Sequence, residues 1–190
     1  WLKTFCEEMI ARGYHKRVRI DCNMRFGCLD EAAYRLMRKA GFRLVLFGLE
    51  SANQATLDRL VKALTVSQIE EGARLASRAG LDVHVTVMFG YPWEGEREIA
   101  NTVSLARRLL RKGYAYTLQV TMVVPYPGTP LFRELDQAGL LLTRAWEEYD
   151  MRRQVMASGV PEESIKAAVR QVYKAFLHPE TIVRRIVSTR

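Results

Sequence analysis

The chain has 190 residues, enough for one ordinary domain with a substantial core. Hydrophobic residues make up 48% and charged residues 26%, which excludes a disordered chain. No apolar run reaches the roughly 18 residues of a membrane span and the first residues lack the build of a signal peptide, so a cytoplasmic location is expected.

The net charge of +8 would suit a polyanion, but the basic residues are scattered. Arg35, Arg38, Lys39 and Arg43 fall on one expected helix and its exit, Arg107, Arg108, Arg111 and Lys112 on another, and Arg184 and Arg185 near the end. They read as solvated helix faces and last-turn charges, and a nucleic-acid partner is not expected. Three cysteines, Cys6, Cys22 and Cys28, are an odd set without the spacing of a zinc knuckle or of the C-x3-C-x2-C loop that holds a cluster on three thiolates. They read as structural, and no metal ligand is expected among these residues.

In chain order, residues 1–12 form an amphipathic helix with Leu2, Phe5, Cys6 and Met9 on one stripe and Gly13 as its stop. No capping residue precedes it, so the chain is expected to begin inside a longer polypeptide. Val18 to Cys22 is the first strand. Asp30 opens a helix with the face Ala33, Leu36, Met37 and Ala40, closed by Gly41, and Leu44 to Leu49 is the second strand. A helix over Gln54–Val61 is followed by one that starts at a capping box Ser67-x-x-Glu70 and stops at Gly80. Val83 to Phe89 is the third strand, Ile99, Val103, Ala106 and Leu110 mark a helix ending at Gly113, and Thr117 to Val124 is the fourth strand. After Phe132 only helices are expected, the last begun by Pro161 and broken at His178-Pro179.

Alternating β and α units of this length argue for parallel strands with helical crossovers. Val18 and Ile20 alternate with Arg19, Asp21 and Asn23, Val83, Val85 and Val87 with His84 and Thr86, and Leu118, Val120 and Met122 with Thr117, Gln119 and Thr121. Strands covered by helices on both sides would read as continuous apolar runs. These have helices on one side and a polar lumen on the other, with Arg19, Asp21, His84, Thr86, Gln119 and Thr121 facing it. The fold class expected is α/β, an open, partial β/α barrel of parallel strands over residues 1–135, lacking its first strands and followed by a helical extension over 136–190.

Ligands in such folds bind at the carboxyl ends of the strands. The second strand runs into Phe47-Gly48-Leu49-Glu50-Ser51, the third into Met88-Phe89-Gly90-Tyr91-Pro92-Trp93-Glu94, and the fourth into Val124-Pro125-Tyr126-Pro127-Gly128-Thr129-Pro130. By strand alternation Glu50 points with Leu46 and Gly48 into the lumen mouth, where a carboxylate can accept hydrogen bonds from a diol or an amino group. Gly90 and Pro92 make a turn that leaves room beside the strand end. Glu94 stands where a helix begins and reads as a cap.

Together and in this order, the three segments resemble radical S-adenosylmethionine (SAM) enzymes, in particular the branch that often follows a cobalamin-binding domain and includes the anaerobic magnesium-protoporphyrin monomethyl ester cyclase. Phe47 to Ser51, then Leu57 to Lys62 and Thr65, are similar to that branch's strand-and-helix pattern, Gly90 to Glu94 to its "GLPGE", and Pro125 to Pro130 to its "PYPGTP". Two positions depart: Ala63 and Trp93 stand where the branch usually has glycine. The resemblance covers roughly residues 15–135. It implies a SAM cofactor, a [4Fe–4S] cluster whose ligands would lie upstream of Trp1, a 5′-deoxyadenosyl radical that abstracts hydrogen from a small-molecule substrate, and a chain inactive without the upstream part of its own polypeptide. Cobalamin on an upstream domain is open as a further cofactor.

By position, the resemblance implies that Glu50 contacts SAM ribose or amino groups, that Met88 and Gly90 line the adenine, and that Pro125 offers backbone beside it. Asn23 and Arg25 are candidates for SAM or substrate polar groups, Arg25 for the carboxylate or else as a plain surface residue. Two other readings compete: a barrel hydrolase with Glu50 and Glu94 as paired carboxylates, and a basic nucleic-acid-binding module.

Overall fold

The computed structural model describes residues 1–179 and 181–183, so Arg184 and Arg185 lie outside the described residues. Its elements are α1 (Leu2–Ala11), β1 (Ile20–Met24), α2 (Glu31–Lys39), β2 (Phe42–Glu50), α3 (Gln54–Arg59), α4 (Val66–Arg78), β3 (Asp82–Phe89), α5 (Glu96–Arg111), β4 (Thr117–Met122), α6 (Pro130–Gln137) and α7 (Glu162–Phe176). The strands form one parallel sheet in the order β1-β2-β3-β4. Strands that are neighbours in sequence and in space are what right-handed crossovers on one side produce. No helix among the described residues is long and apolar enough to cross a membrane.

Register divides the two faces. Cys22, Val45, Val83 and, further along, Phe47, Val85 and Leu118 lie on the side covered by helices, and nearly all are buried. There α1, α2, α4, α5 and α7 pack in a layer, each touching the next, with α2 against β2, α4 and α5 against β3, and α7 against β4. Phe47 is wholly buried, stacked on Phe26 at 4.3 Å and meeting Tyr34 edge-on. Ile165, Ala168 and Val172 carry α7 into this same core.

The opposite face carries the rows Asn23–Leu46–His84–Thr117 and Gly48–Thr86–Gln119, then Met88–Thr121. Only Gln119 and Asn23 among these are exposed, the rest being half-buried. One-sided helices over an open sheet make the partial barrel expected from strand alternation.

Several local expectations shift. The first strand starts at Ile20 and not at Val18, because a 3-10 turn at Tyr14–Lys16 occupies the approach and leaves Val18 exposed. Arg19 therefore lies off the sheet and donates to the Val18 and His15 carbonyls, outside the lumen. The capping box is Thr65-x-x-Gln68, two residues before Ser67-x-x-Glu70: the Thr65 hydroxyl accepts from the Gln68 N–H and the Gln68 amide oxygen from the Thr65 N–H. Glu70 instead pairs with Arg108 and Lys112 of α5. The helix from Gln54 ends at Arg59, and Val61 has already turned left-handed. β4 ends at Met122, and after Phe132 the chain is not helical only, since Leu141 bridges antiparallel to Met156. α2 buries Tyr34 beside Met37, an aromatic that the expected apolar face omitted.

Candidate cofactor site at the strand ends

The mouth is built first by β2. A bulge between Gly48 and Glu50 lets Glu50 adopt φ of 59°. A non-glycine residue there carries about 1–2 kcal/mol of strain, so the surroundings must hold it. They do so through Lys62, whose Nζ donates to Glu50 Oε1 at 2.8 Å with the two side chains 29% and 15% exposed. Gly48 is the cradle of this pair. A Cβ there would meet Glu50 Oε1 at 2.3 Å and Lys62 Nζ at 3.2 Å.

Lys62 stands between Val61 at φ 53° and Ala63 at φ 45°, both left-handed. Ala63 occupies a position where glycine is the expected residue, and its φ explains that expectation. Arg25 Nη2 donates to the Ala63 carbonyl at 3.3 Å, so the exit of β1 braces the loop that presents Lys62. Arg25, Ala63, Lys62, Glu50 and Gly48 are thus contiguous. Asn23 is not part of this contact: it lies deeper, in register with Leu46.

The exit of β3 forms the second wall. Met88 faces the lumen beside Thr121, and its sulfur accepts from the Tyr91 hydroxyl at 3.7 Å. Tyr91 is 3% exposed, and burial first, then the nearby Glu50 and Glu94 carboxylates, push its phenol far up, so it stays protonated. Gly90 has φ of 95°, but a Cβ on it would meet Ile165 Cδ1 of α7 at 3.1 Å. The room that glycine leaves is used by helix packing and not by the lumen. Pro125 is buried just beyond β4, next to the Val124–Tyr149–Val155 cluster.

Glu94 does not cap α5. Gly95 is the N-cap, with Glu98 reaching back to its N–H. Glu94 is 2% exposed, and its Oε1 accepts from Ser51 Oγ and Thr56 Oγ1, both at 2.6 Å, and from Asn53 Nδ2 at 3.3 Å. It clamps the exit of β2 to the exit of β3. Its Oε2 is buried without a partner, and a carboxylate only 2% exposed is not open to a substrate, so the hydrolytic pair Glu50/Glu94 is not built. The basic residues also find acids on helix faces, among them Arg35 with Glu31, Arg74 with Glu71, and Arg108 with Glu70. Such pairs lie on solvated helix faces.

A [4Fe–4S] cluster does not fit the cysteines present. Cys6 is buried under α1, Cys22 points to the helix side of β1, and burial raises both thiols above their ordinary range, disfavouring the thiolate a cluster needs. Cys28 is exposed in the loop before α2. Among the described residues no group of three or more His, Cys, Asp or Glu side chains could hold a metal ion.

Lys62, Tyr91, Trp93 and the Ser51–Asn53–Thr56 clamp carry no assignment from the sequence, although Ser51, Lys62, Tyr91 and Trp93 lie inside the segments that resemble a known branch. Their roles come from contacts that strand and helix periodicity cannot show.

Comparison with known proteins agrees with this geometry. An uncharacterized methyltransferase of Pyrococcus horikoshii is 30% identical over 164 residues, covering 85% of this chain and 35% of the relative. The anaerobic magnesium-protoporphyrin IX monomethyl ester cyclase of Cereibacter sphaeroides is 32% identical over 133 residues, 69% of this chain and 21% of the relative. The chain thus spans about a third of the length of the first and a fifth of the second. Among solved structures, the radical SAM methyltransferase TsrM of Kitasatospora setae, with tryptophan and a SAM analogue bound, superposes with a TM-score of 0.71 at 17% identity, covering 93% of this chain and 40% of that one. That likeness is one of fold. The sequence model of the Radical SAM superfamily matches residues 3–106, more than half of the chain, and the chain belongs to that superfamily.

Proposed function

We propose that this chain supplies the C-terminal part of the SAM site and the substrate lumen of a radical SAM enzyme in the cobalamin-associated branch, acting on a small molecule. The observation that carries the reading is the Glu50–Lys62 pair over Gly48 at the mouth of a polar lumen. A carboxylate and an ammonium side by side match a zwitterion. Lys62 suits the SAM carboxylate, and Glu50 its amino or ribose groups.

SAM, when bound and reduced, supplies a radical for hydrogen abstraction, as the resemblance implies. The cluster ligands are proposed to lie outside residues 1–190, on an upstream part of the polypeptide, and cobalamin, where used, on a domain there. The work of this chain's own residues is binding and exclusion. Arg25 braces the loop that presents Lys62, the Glu94 clamp fixes the β2 and β3 exits, and Met88 with buried Tyr91 forms an apolar wall that keeps water from the adenine side. The described residues from 136 on, with α7, are proposed as a C-terminal extension of the barrel of residues 1–135. His84, Thr86, Gln119 and Thr121 offer the substrate an uncharged hydrogen-bonding wall, and methyl transfer, the activity named for two of the similar proteins, is the proposed outcome.

The test is SAM binding by the full-length protein. Glu50→Gln and Lys62→Met should each weaken SAM about 10- to 100-fold, the worth of one charge-assisted hydrogen bond, with iron content unchanged. A lowered melting temperature with an unchanged SAM dissociation constant would assign the pair to the scaffold.

A further inference from the structure

Trp93 stands where the branch that this chain resembles usually has glycine, and its indole touches Tyr91 at the β3 exit and both Thr56 and Arg59 of α3. Its ring stacks on Tyr91 with centroids 5.2 Å apart and planes 26° from parallel. The Arg59 guanidinium at the end of α3 lies over it, 3.9 Å from the centroid. Arg59 is held in turn by Glu134 of α6 at 2.6 Å. The indole Nε1 donates to Thr56 Oγ1 at 3.1 Å, the same hydroxyl that donates to Glu94.

A continuous chain of contacts therefore runs from the surface pair Glu134–Arg59 through Trp93 to Tyr91 and on to the Met88 sulfur, which faces the lumen. The same residues close a small apolar cluster of Tyr91, Val123, Leu135 and Met156, against which Trp93, Met88 and Leu60 pack. Arg59 comes from the unit after β2, Trp93 from the exit of β3 and Glu134 from the helix after β4. The ring thus ties the β3 exit to α3, and Arg59 carries that tie on to the helix after β4.

We infer that Trp93 is a positioning residue for the adenosyl end of the cofactor: stacked between Arg59 and Tyr91, it locks the β3 exit so that Met88 keeps its place on the adenine side. The inference rests on the SAM reading of the mouth. A planar guanidinium on an indole face has directional preference, and a packed ring has few rotamers, so the wall is held before any ligand arrives. With glycine at position 93, Tyr91 and Arg59 would lose their common partner and the turn would regain backbone freedom.

Equilibrium binding of SAM and of 5′-deoxyadenosine to the full-length holoprotein separates the possibilities, with thermal melts alongside. Trp93→Gly should weaken both ligands about tenfold, as loss of one stacking contact and of preorganisation predicts. Trp93→Phe keeps the stack and loses only the Thr56 hydrogen bond, so it should recover most of the affinity. Arg59→Met should weaken both ligands and add little to Trp93→Gly, since the two act through one contact. Lys62→Met should weaken SAM and leave 5′-deoxyadenosine unchanged. A Trp93→Gly protein that melts lower but binds both ligands as the wild type does overturns the inference, as does a Trp93→Phe protein no better than Trp93→Gly. If SAM binding survives Glu50→Gln and Lys62→Met as well, the reading of the mouth fails. If it falls for those two and not for Trp93→Gly, only the positioning role does.

Discussion

The helix side of the sheet and the mouth at its strand ends are built by different means. On the helix side, aliphatic and aromatic residues interlock without a net charge among them, and burial alone holds Phe47, Ile69, Val85 and Leu109. At the mouth, an ion pair over a glycine, a buried carboxylate shared by two hydroxyls, and an indole between a tyrosine and an arginine do the holding. Three non-glycine residues there, Glu50, Val61 and Ala63, have left-handed backbone. The difference teaches that the packed side sets stability and the mouth trades stability for placed polar groups, as functional sites do.

The sharpest test of that contrast is truncation in the packed side. Phe47→Ala removes a ring stacked on Phe26 and should cost roughly 3–5 kcal/mol in denaturant unfolding, enough to threaten the fold of a marginally stable domain. A loss under 1 kcal/mol would break the contrast.

Gly48→Ala probes the mouth. A methyl at 2.3 Å from Glu50 Oε1 must push the carboxylate from Lys62, so SAM affinity should fall about tenfold while unfolding changes by no more than about 1–2 kcal/mol. Equilibrium binding and a denaturant melt on the same protein read both.

Ala63→Gly should act in the opposite direction. Relief of the strain at φ 45° outweighs the entropy that glycine costs, and stability should rise by about 0.5 kcal/mol, seen as a small increase in melting temperature.

The smallest effect concerns His84, half-buried on the polar face with Nδ1 2.7 Å from Thr117 Oγ1. Burial lowers its pKa from 6.5, so the unfolded chain takes up a proton more readily than the folded one. Its contribution is fully present above pH 6.5 and is lost as pH falls through that value toward the folded pKa. Melts of His84→Gln should therefore lose less stability than the wild type between pH 7.5 and pH 5. Equal acid sensitivity would mean that the floor of the lumen is as wet as its mouth.

Much of this molecule was legible along the chain. Period-two alternation in β3 and β4 announced one wet face and one dry one, because successive side chains of a strand point to opposite sides and only one side is covered. The ends of β2 and β3 were locatable to within a residue because glycine and proline punctuate where regular pairing stops, whereas the fourth strand, expected to reach Val124, stops at Met122. The order of those segments was specific enough to indicate the superfamily.

What only the tertiary structure decided are contacts between residues far apart in sequence. Glu94 followed by Gly95 and Glu96 reads locally as a helix start, yet its carboxylate is claimed by Ser51 and Thr56, some forty positions earlier. Ser67-x-x-Glu70 and Thr65-x-x-Gln68 are both plausible caps, and the choice fell to Thr65 because Glu70 is taken by Arg108 and Lys112 on the next helix. Lys62 acquires its partner only when the chain bulges at Glu50, and Trp93 acquires Arg59 only when α3 and the exit of β3 pack together. Local pattern reports which face of an element is dry. Which polar group meets which across the mouth depends on how the βα units stack, and that is set by long-range packing.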